Sequence, residues 1–445
     1  MGNECLKLPR KLDDGLVMRW ATSADTEALA DFNLRMHGQS DASQPEKWLK
    51  QWTRDLMSGR HPTTGPADVV IVEDESDAGQ IVSTTTLINQ TWRYGEISFG
   101  CGRPELVGTA EEYRRRGLVR EQFKVIHALS AAKGQLVQAI TGIPWYYRQF
   151  GYEMALALGG SRRIELSRIK SLSKDKQERF QLRRATVDDL AAVAELYQRH
   201  CQDSLVSCQR GEAVWRYELS APDERHVNQP DRHLVETKDG EVVGYVAYSF
   251  QPKPGWISEL AVKSDYAMRE VALFVLRTLK ARILADHDLA KEDISGLTVR
   301  LGTDHPTYRA LKPELENQRP PYAYFMRVPD LNGFLLHLKP VLEERLADSV
   351  MAGYSGELKL NFYKSQTKMS FDAGRLVQVE PYSPSGFFDG HGYFPDLIFL
   401  KLLFGYRSFD ELKSDRGDCF AETEEAAVLL ESLFPKRTSY VIPLA

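Results

Sequence analysis

Glu112-Tyr113-Arg114-Arg115-Arg116-Gly117-Leu118-Val119-Arg120 sets three consecutive arginines and a glycine between a strand-like and a helical segment. The strand is carried by Leu106-Val107-Gly108-Thr109, and the helix by the spacing of Leu118, Gln122, Ile126 and Leu129. A turn of this kind leaves N–H groups unpaired at the start of the helix, where the peptide dipoles add partial positive charge. Phosphate or pyrophosphate binding is the chemistry such a turn can do. Gly117, without a Cβ, lets the backbone come close to an anion. The competing reading is a solvated helix start, and Arg120 suits a phosphate contact or a water-facing position equally.

The rest of the chain makes this turn a local feature. Net charge is −5 and the pI about 6.1, so bulk electrostatics does not attract nucleic acid and a small anionic ligand is favoured. The 445 residues suggest about three domains, and 42% apolar with 27% charged residues is a soluble, globular composition. The five cysteines form no Cys-x-x-Cys and no zinc pattern, which predicts reduced thiols, a cytoplasmic setting and no metal. The first residues lack the apolar core of a signal peptide, and the run from Leu397 to Phe404 is broken by Lys401 and too short to span a bilayer.

Elements that must position the turn can be read from weak repeats. Met18-Arg19-Trp20-Ala21-Thr22-Ser23-Ala24-Asp25 resembles Leu182-Arg183-Arg184-Ala185-Thr186-Val187-Asp188-Asp189, each a short strand running into a helix start. The arginine turn has a degraded counterpart in Asp265-Tyr266-Ala267-Met268-Arg269-Glu270, without glycine or basic cluster. Pro144-Trp145-Tyr146-Tyr147-Arg148 is echoed by Pro306-Thr307-Tyr308-Arg309. Three echoes in one order predict two domains of one fold, the second without its phosphate seat. Beyond them an amphipathic helix is expected over 331–346, strands over 356–363, 368–371 and 375–380, and helices over 395–404 and from Phe409.

The arginine turn is similar to the acetyl-coenzyme A loop of GNAT N-acetyltransferases, with Arg114, Gly117 and Val119 at its marked positions; Val119 replaces the usual small residue. Tyr147-Arg148-Gln149-Phe150-Gly151-Tyr152 resembles the Tyr-x-x-Phe-Gly-Tyr segment of the Eis (enhanced intracellular survival) type. The resemblance implies a mixed α+β chain. A GNAT domain would span 1–165, a degenerate GNAT-like domain 166–329, and a sterol carrier protein-like domain 330–445. It implies acetyl-CoA as acyl donor, without a metal. The pantetheine arm would pair with Val107, Gly108 and Thr109, the pyrophosphate would lie on the amides of Arg115, Arg116, Gly117, Leu118, Val119 and Arg120, and the cofactor would pass Gly142 and Ile143. Tyr147 takes the position of the proton donor, since a phenol of pKa ~10 is protonated at neutral pH. The chain's own terminal carboxylate, here Ala445, takes that of the base. A homo-oligomer is implied as well, with a hexamer among the orders it allows.

The residues leave several alternatives open. Glu105, placed by strand alternation on the face of Val107 and Thr109, is a rival base, and a third reading has neither group in that role. Tyr146 and Tyr147 are also packing aromatics, and Trp48 with Trp52 reads as core packing before it reads as an acceptor wall. Asp31, Asp41 and Asp55 are scattered acids that could attract a cationic amine, and His127 and His391 read as structural or solvated. The function expected is transfer of acetyl to the primary amine of a small cationic molecule, an aminoglycoside-like molecule or a lysine. The alternatives are a coenzyme A-binding sensor or scaffold, and a lipid carrier working through the C-terminal region.

Overall fold

The computed structural model describes residues 2–38, 47–173, 175–220, 229–250, 255–286, 294–386 and 389–442. Three mixed sheets with helices packed on them give an α+β chain. The first sheet is built on two long antiparallel strands, Gln80–Tyr94 and Ile97–Thr109. The first is rich in β-branched and aromatic residues, and both bury apolar side chains against helices on one face and the C-terminal region on the other. The strands of the first two sheets interleave in sequence. Arg162–Glu165 pairs with Gly296–Val299 in the second sheet, while Tyr322–Arg327 returns to the first between Val137–Ile140 and Glu153–Leu158.

The repeat seen in the sequence has a structural counterpart. Arg19 holds Asp25 in a two-pronged pair at 2.8 and 3.0 Å and reaches Glu73; Arg183 holds Asp189 and Glu236 in the same manner. In each copy the Asp carboxylate also accepts from the Thr22 or Thr186 amide, fixing the angle between strand and helix.

Two element boundaries differ from expectation. The single helix over 331–346 is two, Leu331–His337 and Lys339–Ala347, because Pro340 lacks an N–H and starts a new first turn. The helix over 395–404 shrinks to Phe399–Leu403, with Asp396 at positive φ before it. Both helix pieces pack into one apolar cluster with Trp92, Tyr94 and Phe99 of the first sheet. Across that contact Tyr94 donates to the Leu403 carbonyl at 2.7 Å, and Arg345 to the Tyr94 hydroxyl at 3.0 Å. Among the described residues no helix is long and apolar enough to cross a membrane.

Candidate active site

The strand Ile97–Thr109 and the strand Val137–Ile140 run parallel but pair only at Cys101 with Val137 and Gly102 with Gln138. Beyond that point they part. Pro104 cannot donate to a ladder, and Leu106 adopts φ +52 opposite a register shift at Thr84–Thr86, a bulge that bends the strand away. The bulge interrupts the alternation expected for Glu105, Val107 and Thr109, yet all three still line the opening. The resulting cleft, about 950 Å³, runs from the arginine turn past the parted strands to the helix Lys47–Met57.

One end is built by the turn. Arg115 at φ +66 and Gly117 at φ +78 are both left-handed, so successive amides curve around a concave, electropositive seat. The helix Leu118–Ala132 begins at Gly117 with no side-chain cap, leaving its first N–H groups open toward the cleft. Gln122 bolts the helix to the sheet, accepting from Ser83 at 2.8 Å and donating to the Val70 carbonyl at 3.1 Å. Val107, Gly108, Thr109, Arg115, Gly117, Leu118, Val119, Arg120, Gly142 and Ile143 all line this cleft. Arg116 turns the other way, lying over the Tyr113 ring at 5.0 Å and 3.5 Å from Asp14.

Tyr147 lies on the opposite wall, and the surrounding motif explains why. Phe150 stacks on Phe123 of the helix with centroids 4.6 Å apart; Gly151 turns the chain at φ +86; Tyr152 is buried with its hydroxyl 2.9 Å from His127 Nε2. Tyr147 packs between Phe123 and Phe325, leaving its edge at the cleft. Gly142, at φ +147, makes the space: a Cβ there would lie 2.8 Å from Tyr147 Cε2 and 3.2 Å from its hydroxyl. Burial first, then the charge of Glu105, pushes the Tyr147 phenol well above its ordinary value. It is therefore protonated throughout the neutral range.

Glu105 pairs with the fully buried Arg103 and accepts from Thr141 at 3.4 Å. Burial raises its carboxyl, against the charge and hydrogen bond of Arg103. His37, at the end of the helix Thr26–His37, also lines the cleft, with Nε2 3.4 Å from where a Gly108 Cβ would stand. Desolvation lowers its imidazole, opposed by a hydrogen bond to the Leu106 backbone. The sequence singles out neither His37 nor the bulge at Leu106. A lone histidine has no partner motif, and only Pro104 hints that the strand must break.

Other candidates are engaged elsewhere. Asp31 pairs with Lys50, Asp55 accepts from Tyr217, and Asp41 lies outside the described residues. His391 Nδ1 accepts from the Lys359 amide at 3.2 Å. Cys101 is buried in the sheet with its thiol raised by burial, the opposite of an activated nucleophile. Ala445 lies outside the described residues, which end at Ile442. The approach to that end is firmly held: the Leu205 amide donates to the Thr438 carbonyl at 2.8 Å, and Tyr197 and Tyr324 set their hydroxyls 3.1 and 3.5 Å from the Ile442 and Val441 carbonyls.

In the second sheet the corresponding turn is closed. Ala267, before the helix Met268–Ala285, has φ −70, Arg269 pairs with Glu314 and Glu270 with Arg179. Where Trp256–Val262 and the chain after Gly296–Val299 part, Tyr440 from the tail inserts its ring, with its hydroxyl between the Ser258 and Arg300 carbonyls. The second opening is filled by protein.

Residues 18–155 match the family model of the acetyltransferase (GNAT) domain. Sequence comparison with curated proteins gives no match. Among solved structures, a conserved protein from Enterococcus faecalis, a probable N-acyltransferase, is similar at TM-score 0.67 and 12% identity, covering 96% of this chain and 99% of its own. A GCN5-related N-acetyltransferase from Kribbella flavida is similar at TM-score 0.62 and 16% identity, over 96% and 97%. Eis1 from Mycobacterium abscessus is similar at TM-score 0.56 and 16% identity, over 95% and 98%. At these identities the likeness is one of fold. Residues 18–155 form an acetyltransferase (GNAT) domain, and the chain that carries it is an acyltransferase.

Proposed function

We propose that the protein is an acetyl-CoA-dependent N-acetyltransferase that moves acetyl directly to a primary amine, with Tyr147 as proton donor. One observation carries the reading: a single cleft joins the amide-rich turn at Arg115–Arg120 to the Tyr147 hydroxyl. The parted strand edge at Val107–Thr109 offers backbone groups to an amide-bearing pantetheine arm, much as a strand edge accepts a peptide. The thioester supplies an activated acetyl group. Backbone N–H near the bulge and Thr109 would meet the oxyanion as the amine attacks the carbonyl carbon. As the carbon–sulfur bond breaks, Tyr147 hands its phenolic proton to the departing thiolate. The amine's proton goes to a carboxylate.

For that carboxylate the α-carboxyl of Ala445 is our first assignment and Glu105 the second. The support is the docked tail: Val441 sits at the Tyr324 hydroxyl, Arg103 lies 5.7 Å over the Tyr324 ring, and Arg103 pairs with Glu105 at the cleft. Three further residues can extend ~10 Å beyond Ile442. We assign Arg116 to the electrostatic rim of the phosphate seat. The domain division at 1–165, 166–329 and 330–445, the degenerate second GNAT copy, the sterol carrier protein-like third domain, a homo-oligomer and a cytoplasmic setting complete the proposal. The repeated Arg–Asp–Glu triads support the first two of these.

The test is Tyr147→Phe. Loss of general acid catalysis costs on the order of 10²-fold in kcat, with acetyl-CoA affinity kept. A variant that releases thiol at the wild-type rate in the presence of a good acceptor removes Tyr147 from the mechanism.

A further inference from the structure

The end of the cleft remote from the arginine turn is an aromatic wall. On the helix Lys47–Met57, Trp48 and Trp52 stand one turn apart and share a face. Trp52, 7% exposed, packs with Leu49, Leu56 and Ile88 against Leu106 of the bulge. Trp48 packs on the same cluster but is only half-buried, so its indole backs onto apolar core and keeps a face toward the cleft. Across the opening Ile143 is 64% exposed, an apolar side chain with surface to cover.

The charges at this end are few. Among the described lining residues the only carboxylate is Glu105, paired with the buried Arg103, and the proposed mechanism adds one more acid, the α-carboxyl of Ala445. Asp31 and Asp55, the acids of the two helices beside it, do not line the cleft; Asp31 pairs with Lys50 and Asp55 accepts from Tyr217. A polyammonium acceptor would have to leave charges unpaired against tryptophan, leucine and isoleucine, which is costly. A molecule with one amine and a flat apolar body meets none of that penalty. Its ring can stack on Trp48 and its single ammonium can lie by Glu105 and His37.

We propose that the acceptor is an arylalkyl monoamine, seated with its ring on Trp48 and its amine at the Leu106 bulge. This rests on reading the cleft as an acetyl-transfer site. The experiment uses the full chain with acetyl-CoA and follows thiol release with phenethylamine, tryptamine, n-butylamine, spermidine and the aminoglycoside kanamycin. The arylalkyl amines are expected to exceed n-butylamine, spermidine and kanamycin by at least about tenfold in kcat/KM. Trp48→Ala should raise the KM for phenethylamine by about tenfold, Trp48→Phe should restore most of it, and the Kd for coenzyme A should stay within about twofold in both. Spermidine or kanamycin used as well as the arylalkyl amines overturns the inference and leaves acetyl transfer standing. So does an unmoved KM in Trp48→Ala. Thiol release with no amine at all, while coenzyme A binds, overturns the acetyl-transfer reading and this inference with it.

Discussion

A phenol is protonated at neutral pH without help, so what the proposed acid role asks of the protein is an edge held toward the leaving group. At Tyr147 the position comes from Phe123 and Phe325, which flank the ring, while burial and the Glu105 charge raise the phenol and make it a weaker acid in the resting site. Gly142 is the residue that leaves room. Gly142→Ala would set a Cβ 2.8 Å from the ring and strain a backbone at φ +147. We expect kcat to fall about tenfold or more as Tyr147 is displaced. Coenzyme A binding, measured by calorimetry, should change far less. Tyr147 is legible in the sequence because its motif is contiguous. His37 and Leu106 are not, since a lone histidine and a left-handed leucine acquire meaning only from what packs on them.

Among the elements, the arginine turn and the Arg–Asp–Glu triads do separate work. A Cβ at Gly117 would meet nothing within 4 Å, so Gly117→Ala is a conformational perturbation alone. It should cost about 1 kcal/mol at φ +78. Because the strained residue shapes the proposed phosphate seat, the Kd for acetyl-CoA should weaken by several-fold with kcat retained. Titration of coenzyme A into both proteins checks this.

The triads predict a pH response of stability. Hydrogen bonds from Arg19 bring Asp25 from 3.8 to about 2, and those from Arg183 do the same for Asp189. A folded pKa below the unfolded one gives stability that is present above pH ~4 and lost as pH falls from ~4 toward ~2. With solvent screening, Asp25→Asn should cost about 1 kcal/mol at neutral pH. That deficit should vanish near pH 2 in denaturant melts of the two proteins. The Arg and Asp of each triad lie within the repeated Ala-Thr segments, whereas Glu73 and Glu236 come from other strands and join only in the fold. The break at Pro340 is signalled by the proline itself, and the expectation of one helix follows the apolar spacing that runs straight through it.

For the whole molecule the tail is the connecting part. It leaves the C-terminal region, adds a parallel bridge between Tyr440 and Ser207, plugs the second sheet with Tyr440 and delivers Val441 to Tyr324 beside the first. Deleting residues 443–445 should lower kcat by about 10²-fold while thermal stability changes little, if the terminal carboxylate is the base. An unchanged rate would transfer the role to Glu105. Tyr440→Ala empties a buried site and orphans two carbonyls. It should cost roughly 3–5 kcal/mol in chemical denaturation.

The strand–turn–helix that holds the arginines and the duplicated strand–helix opening follow from the order of residues alone, written in local spacing: apolar periodicity and a glycine after basic residues. The α+β class and the place of Tyr147 come from the sequence through its resemblance to a known family. The parting of the strands at a leucine bulge, with His37 and Trp48 facing the gap, emerges only when the chain is packed. So do the crossing of strands 162–165 and 322–327 between sheets and the closure of the second opening by Tyr440. Those features depend on contacts between residues far apart in the chain, where the free energy of packing, not local preference, selects the partner.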